Sequence, residues 1–298
     1  MHSKKKFPSA NALFWCGLRH KVIYCLVALG LFFTGSGASL AKVVELRLSP
    51  QLVASAEYQP GKPDKPALIL LHGFLQTREF PTIQRLAQGL SEQGYTTLIP
   101  TLSLGVPKRV QSLPCEAIHN HSFEKDVAEL SRWETWLSER GHKNIVLIGH
   151  SFGSLQVLAD AALPTSIAQK VIALSLVDTR EVSKRSNVAV LQDATEKMRL
   201  GDKTLFRPPF AHCKEFPTTA ANYVSYASWD RTRILRLVKT VKKPTEIIMG
   251  SNDNRMGADW PAKLRSEGAS VRIIDGANHF FDDEHEFDLL DAVLTALK

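Results

Sequence analysis

The sequence predicts an α/β domain, with a mostly parallel central sheet and helices on both of its faces. Three observations support this. Short, nearly continuous apolar runs recur at 67–71, 145–148 and 171–177, which is how strands buried on both faces read. Stretches with apolar residues at helical spacing lie between them, and strand–helix alternation implies a parallel sheet. Chemically distinctive residues (Phe74, Ser151, Asp178, Asp253 and His279) sit at or just past the ends of predicted strands. That rim is where open α/β sheets bind ligands.

In chain order, segments 43–48 and 52–58 alternate in polarity around Ser49-Pro50 and read as an antiparallel edge pair. Residues 59–66, rich in proline, form a loop. The strand at 67–71 ends in His72-Gly73-Phe74. A helix follows with Phe80, Ile83, Leu86 and Leu90 on one face, stopped by Gly94. A strand at 96–100 leads into an irregular stretch that lasts to His121. Phe123, Val127, Leu130, Trp133 and Leu137 then mark a helix over about 123–140, ended by Gly141. After the strand at 145–148 and a helix at 154–162 comes a strand at 171–177 that ends in Asp178.

Residues 179–229 break the rhythm. They hold a helical piece (188–200), the loop Arg207-Pro208-Pro209-Phe210 and scattered aromatic residues, and they read as a lid-like insertion. Phe206, Phe210, Phe216, Tyr223, Tyr226 and Trp229 suit either an apolar wall over a site or the packing of the insertion onto the sheet. The alternation then resumes: helix 231–239, strand 246–249, helix 261–267, strand 271–274. A terminal helix carries Phe287, Leu290, Val293, Leu294 and Leu297, with Asp282 and Asp283 expected to cap its start.

The chain has 298 residues, 44% apolar and 22% charged, enough for one large domain. Its net charge of +7 is uneven. Residues 1–41 contain Lys4, Lys5, Lys6, Arg19 and Lys21 and no acid, so the remainder is close to balanced. That excludes the electrostatic footprint of a nucleic-acid binder. The basic start, the apolar run at 22–33 and the small-x-small Ser39-Leu40-Ala41 read as a signal peptide, cleaved after Ala41. The mature domain is then 42–298, exported to the periplasm or beyond, with no stable membrane insertion. The alternative is an uncleaved anchor, because 22–41 carries no charge. Two cysteines, Cys115 and Cys213, remain after the leader, and an even pair in an exported chain predicts a disulfide. No cysteine–histidine spacing suggests a metal, and no cofactor is implied.

The strand at 145–148 runs into Gly149-His150-Ser151-Phe152-Gly153 and then a helix. This strand–turn–helix context is what the G-x-S-x-G nucleophile elbow requires. The two glycines remove the Cβ atoms that would collide in so sharp a turn, so Ser151 is the candidate nucleophile. A serine hydroxyl needs a base to take its proton. Of ten histidines, His279 has the right place, in the loop after the last strand. His150 and His72 read as structural, and His119, His121, His142, His212 and His285 as solvated or local. Asp253 is the candidate acid that orients the imidazole, with Asp178 the runner-up. The order Ser…Asp…His is that of α/β-hydrolases. The backbone N–H groups of Phe152 and Phe74 are placed to form an oxyanion hole.

On His72-Gly73-Phe74, the GHSFG elbow, Asp253 in Gly250-Ser251-Asn252-Asp253 and His279, residues 65–298 resemble the α/β-hydrolase superfamily. The single glycine before Phe74 differs from the HGGG loop of some esterases, and a serine at the elbow differs from the carboxylate nucleophile of dehalogenase relatives. The resemblance implies a serine hydrolase, foremost a carboxylic ester hydrolase forming an acyl-enzyme, with a small-molecule or lipid-like ester as substrate. The frame equally hosts thioesterases, peptidases and carbon–carbon hydrolases. From a different class, an inactive hydrolase fold used for binding is the alternative.

Overall fold

The computed structural model describes residues 41–179 and 188–298. The leader expected at 1–41 thus lies, but for its last residue, outside the described residues, as do 180–187 of the insertion. Among the described residues no helix is long and apolar enough to cross a membrane.

The elements, in chain order, are β1 (Lys42–Arg47), β2 (Val53–Gln59), β3 (Ala67–Leu71), α1 (Pro81–Glu92), β4 (Thr96–Thr101), α2 (Phe123–Ser138), β5 (Ile145–His150), α3 (Phe152–Ala161) and β6 (Lys170–Leu174). The insertion follows with α4 (Val188–Arg199), β7 (Leu205–Phe206), β8 (Thr218–Thr219) and α5 (Ala220–Ala227). The chain closes with α6 (Arg231–Thr240), β9 (Thr245–Gly250), α7 (Trp260–Ser266), β10 (Ser270–Ile274) and α8 (His285–Ala296).

Eight strands form one sheet in the order β1-β2-β4-β3-β5-β6-β9-β10. β2 alone runs against its neighbours, so the predicted antiparallel pair is the edge of an otherwise parallel sheet. Successive side chains of a strand point to opposite faces. On β3, Ala67, Ile69 and Leu71 join a layer with Leu130 and Trp133 of α2 and Leu155 of α3. Leu68 and Leu70 join the other layer with Ile83 and Leu90 of α1 and Leu289 and Val293 of α8. Each such fully buried leucine, isoleucine or valine side chain contributes about 1.5–3 kcal/mol. The two layers fix the register, since a one-residue slip would exchange the faces of the whole strand.

Three local expectations are corrected. The strand predicted at 171–177 stops at Leu174, because Ser175 adopts φ 48° and leaves the extended conformation. The insertion therefore does not follow a strand ending at Asp178; four residues of bent chain intervene. Phe287 lies outside the apolar face of the terminal helix and is 73% exposed, because Leu289, Ala292 and Val293 take the buried stripe. Asp282 and Asp283 do not cap that helix: Glu284 is at its N-cap without a side-chain bond, and Asp282 accepts from the Asn278 amide at 3.1 Å.

The aromatic residues of the insertion pack it down. Phe210, Phe216, Tyr223 and Tyr226 are fully buried, and Phe206 lies edge-on to Tyr223. Phe74 meets Phe210 and Phe216 at 5.3 and 5.7 Å between ring centroids, which fastens the insertion to the loop after β3. Cys115 and Cys213 are joined in a disulfide that ties the stretch before α2 to the insertion, 98 residues apart. The link restricts the unfolded chain and contributes about 2–4 kcal/mol. The Cys115→Ser, Cys213→Ser double variant is expected to unfold at correspondingly lower denaturant concentration. Equal midpoints for the oxidised protein and the variant would show that the tie does not stabilise the fold.

Candidate active site

The elbow places its serine by backbone compulsion. Ser151 has φ 57° and ψ −118°, a conformation side-chain-bearing residues rarely adopt, at a cost of order 1–3 kcal/mol. A Cβ on Gly149 would come 2.2 Å from the Gly153 carbonyl oxygen, and one on Gly153 would come 2.5 Å from that of His72. Only glycine fits where the turn crosses itself and where α3 passes over the end of β3. The Ser151 N–H donates to the Leu174 carbonyl at 2.9 Å, holding the turn to the next strand.

The expected residues come together at the rim. The Ser151 hydroxyl lies 2.9 Å from His279 Nε2, and His279 Nδ1 lies 2.7 Å from Asp253 Oδ2. An Nδ1–H donating to the carboxylate leaves Nε2 free to accept the serine proton. His279 and Asp253 are buried, 4% and 8% exposed. Burial pushes the Asp253 carboxyl up, but the His279 hydrogen bond and charge, with the N–H and charge of Arg255, hold it below its ordinary value. It is therefore ionised wherever His279 needs a counter-charge.

The loops carrying the two groups brace each other. Asn252 N–H donates to Ala277 O at 2.9 Å, and Gly250 packs against the same carbonyl. The His279 carbonyl accepts from His150 Nε2–H at 2.8 Å and from the Ser175 hydroxyl at 2.9 Å. His150, predicted to be structural, thus fixes the backbone of the neighbouring histidine. Burial, then the positive charge of His279, pushes it down to about 3, so it stays neutral. Asp178 stands elsewhere: it is buried, and Arg231 Nε donates to it at 3.1 Å.

Phe74 and Phe152 flank Ser151, and their rings lie 5.0 Å apart. Neither backbone N–H donates to a protein acceptor among the described residues. His72 organises the loop as its position suggests. Its Nδ1–H donates to Gly73 O and its Nε2 accepts from Leu102 N–H. Burial, then the charge of Arg109, pushes it down to about 3.

Several contributors were not foreseen. Arg109 is 4% exposed and donates to the carbonyls of Leu102, Leu75, Gln111 and Gln76, clamping the loop that carries Phe74. Burial lowers it to about 10, which still leaves it charged at neutral pH. His119 and His121, expected to be solvated or local, are buried beside the insertion: His119 stacks on Phe216, and His121 bonds Tyr226, which donates to Asp126. Glu129 accepts from Ser103, and burial raises it to about 7. His212 sits at the lip of the cavity, where burial and then Arg255 lower it. It lies within 4.8 Å of both bridge sulfurs, but these are joined to each other and offer no thiolate to a metal.

A cavity of about 840 Å³ opens over Ser151. Among the described residues the insertion contributes Ala211 and His212 to it, while its Phe210, Phe216, Tyr223 and Tyr226 do not line it. Such an arrangement can activate a hydroxyl, receive a negative oxygen between two N–H groups, and admit a small organic molecule.

No curated protein matches this sequence significantly. Solved structures match in fold. The α/β hydrolase GrgF from Penicillium sp. sh18 superposes with a TM-score of 0.65 at 18% identity, covering 87% of this chain and 98% of its own. Est1E from Butyrivibrio proteoclasticus with ferulic acid bound gives 0.62 at 21% identity, covering 84% and 96%. The thioesterase domain from the curacin biosynthetic pathway gives 0.60 at 16% identity, covering 86% and 99%. At these identities the likeness is one of fold. The sequence signature of the alpha/beta hydrolase family matches residues 68–292, a span that runs from β3 through the elbow to the terminal helix, and the chain belongs to that family.

Proposed function

We propose that this protein is a serine hydrolase that cleaves carboxylic esters of small molecules or lipid-like compounds. The observation that carries the reading is the unbroken line of hydrogen bonds from Ser151 through His279 to the ionised Asp253. In this reading His279 takes the hydroxyl proton as Ser151 attacks the ester carbonyl. The Phe74 and Phe152 N–H groups stabilise the oxyanion of the tetrahedral intermediate. His279 then gives the proton to the departing alcohol oxygen, leaving an acyl group on Ser151. Water, deprotonated by the same imidazole, releases the acid and restores the serine. The complete set of groups disfavours an inactive binding fold, which has no need of them together. Est1E holding ferulic acid agrees with a small-molecule ligand.

The reading extends to the chain's location: residues 1–41 act as an export signal, 42–298 are the mature enzyme and 179–229 a lid-like insertion. The disulfide is compatible with an oxidising compartment. A fluorophosphonate probe tests the activity. A single adduct on Ser151 of the folded protein is expected. No adduct, while a control serine hydrolase labels in the same tube, would favour the binder.

A further inference from the structure

The cavity over Ser151 has an uneven charge. Among the described residues that line it, the only carboxylate is Asp253, which is buried and engaged with His279 and the Arg255 N–H. The only permanent cation among those lining residues is the exposed side chain of Arg255, two residues further along the same loop. Among the described residues, neither an acidic side chain nor a carbonyl accepts a hydrogen bond from that guanidinium. What it does contact is a ring: its central carbon lies 4.8 Å from the centroid of Phe280. A cation over a ring in this way is held in place while its N–H donors remain available. Asn254, beside it at the cavity wall, also has an amide without a protein partner among the described residues.

The position of this cation relative to the reacting atoms gives it a direction. Phe280 lies against His279, with ring centroids 5.0 Å apart. His279 Nε2 is the atom that hands a proton to the departing oxygen in the reaction proposed above. The alcohol portion of an ester must therefore leave on the His279 side, where Phe280 and Arg255 stand. The oxyanion faces the Phe74 and Phe152 N–H groups in the same reading. A guanidinium beside the leaving group that is unpaired among the described residues, with no free acid among those lining the cavity, selects for negative charge there. Planar carboxylates and phosphates both match its paired donors.

We propose that Arg255 is a specificity-determining residue that binds an oxyanion, carboxylate or phosphate, carried by the alcohol portion of the ester. The inference rests on the serine hydrolase reading. The hydrolytic step is ordinary: the acyl–oxygen bond breaks, the alcohol leaves with the His279 proton and its anion intact, and water supplies the oxygen of the released acid.

Three acetate esters of one phenol frame test this: 4-acetoxybenzoate, 4-acetoxyphenyl phosphate and the neutral methyl 4-acetoxybenzoate. The quantity read is kcat/KM for each charged ester divided by that for the neutral one. Comparing this ratio between wild type and Arg255→Gln cancels intrinsic leaving-group reactivity and any general effect on the triad. The ratio is expected to fall on the order of ten- to a hundredfold for at least one charged ester, the loss of a charge-assisted hydrogen bond. Arg255→Lys should restore part of it. The ester that loses more identifies the anion. Ratios unchanged within about twofold for both charged esters would overturn the proposal. A drop seen instead with 4-nitrophenyl succinate relative to 4-nitrophenyl butyrate, whose charge is on the acyl side, would overturn the leaving-group assignment. If none of the esters is turned over, calorimetric titration with 4-hydroxybenzoate and 4-hydroxyphenyl phosphate reads the same contact. No binding, or equal binding in Arg255→Gln, refutes it. Undiminished hydrolysis of the neutral ester by Ser151→Ala would instead refute the serine mechanism itself, whatever Arg255 does.

Discussion

Ser151→Ala is expected to lower ester turnover by about 10⁶-fold, the loss seen when a triad serine is removed from a comparable relay. The fold should barely notice. Among the described residues the Ser151 hydroxyl makes one protein hydrogen bond, to His279 Nε2, so its removal costs about 1 kcal/mol. Alanine also keeps the backbone demands of the elbow, since the glycines, not the serine, allow the turn to close. Large kinetic loss with near-constant stability is thus the signature of a nucleophile. It is checked by steady-state hydrolysis of 4-nitrophenyl acetate alongside urea unfolding. Residual turnover within tenfold of wild type in a folded variant would remove Ser151 from the role.

What the sequence reveals and hides divides along physical lines. The elbow is legible because its backbone admits so few residues: two glycines at fixed offsets around a serine, after an apolar run and before a helix, leave little else the chain could build. The order of rim elements is legible for a similar reason, since nearly continuous apolar runs must be buried on both faces. The end of β6 is not, because Val171 to Val177 reads as one apolar run and nothing local announces that Ser175 turns to φ 48°. Its hydroxyl goes instead to the His279 carbonyl, 104 residues away. Arg109 is silent for a related reason. Its four acceptors are backbone carbonyls from two separate loops, and carbonyls carry no sequence signal. Arg255 belongs to no motif, and its contact with the Phe280 ring depends on how two loops meet. Phe287 shows the limit of periodicity: it falls at helical spacing from Leu290 and Leu294, yet those residues border the buried stripe rather than centre it.

The choice of acid is where sequence left two candidates, and the two should separate sharply on mutation. Asp253→Asn is expected to reduce turnover by a factor on the order of 10⁴, if the relay behaves as the serine protease triad does. Asparagine fits the same space but carries no charge, so it neither stabilises the imidazolium nor fixes the tautomer that leaves Nε2 able to accept. The Arg255 N–H that also donates to Asp253 at 3.3 Å keeps a carbonyl acceptor in the variant, so the loop should hold its shape. Asp178→Asn should do the reverse. That carboxylate is 1% exposed and paired with Arg231, whose guanidinium also reaches Met256 O and Asp259. Removing its charge leaves a partly buried cation short of a partner, which lowers stability by several kcal/mol in comparable cases, with turnover close to wild type below the unfolding transition. The measurement is kcat and thermal midpoint for both variants in one buffer. A severe kinetic loss for Asp178→Asn with little for Asp253→Asn, at equal thermal stability, would move the acid to Asp178 while leaving Ser151 and His279 in place.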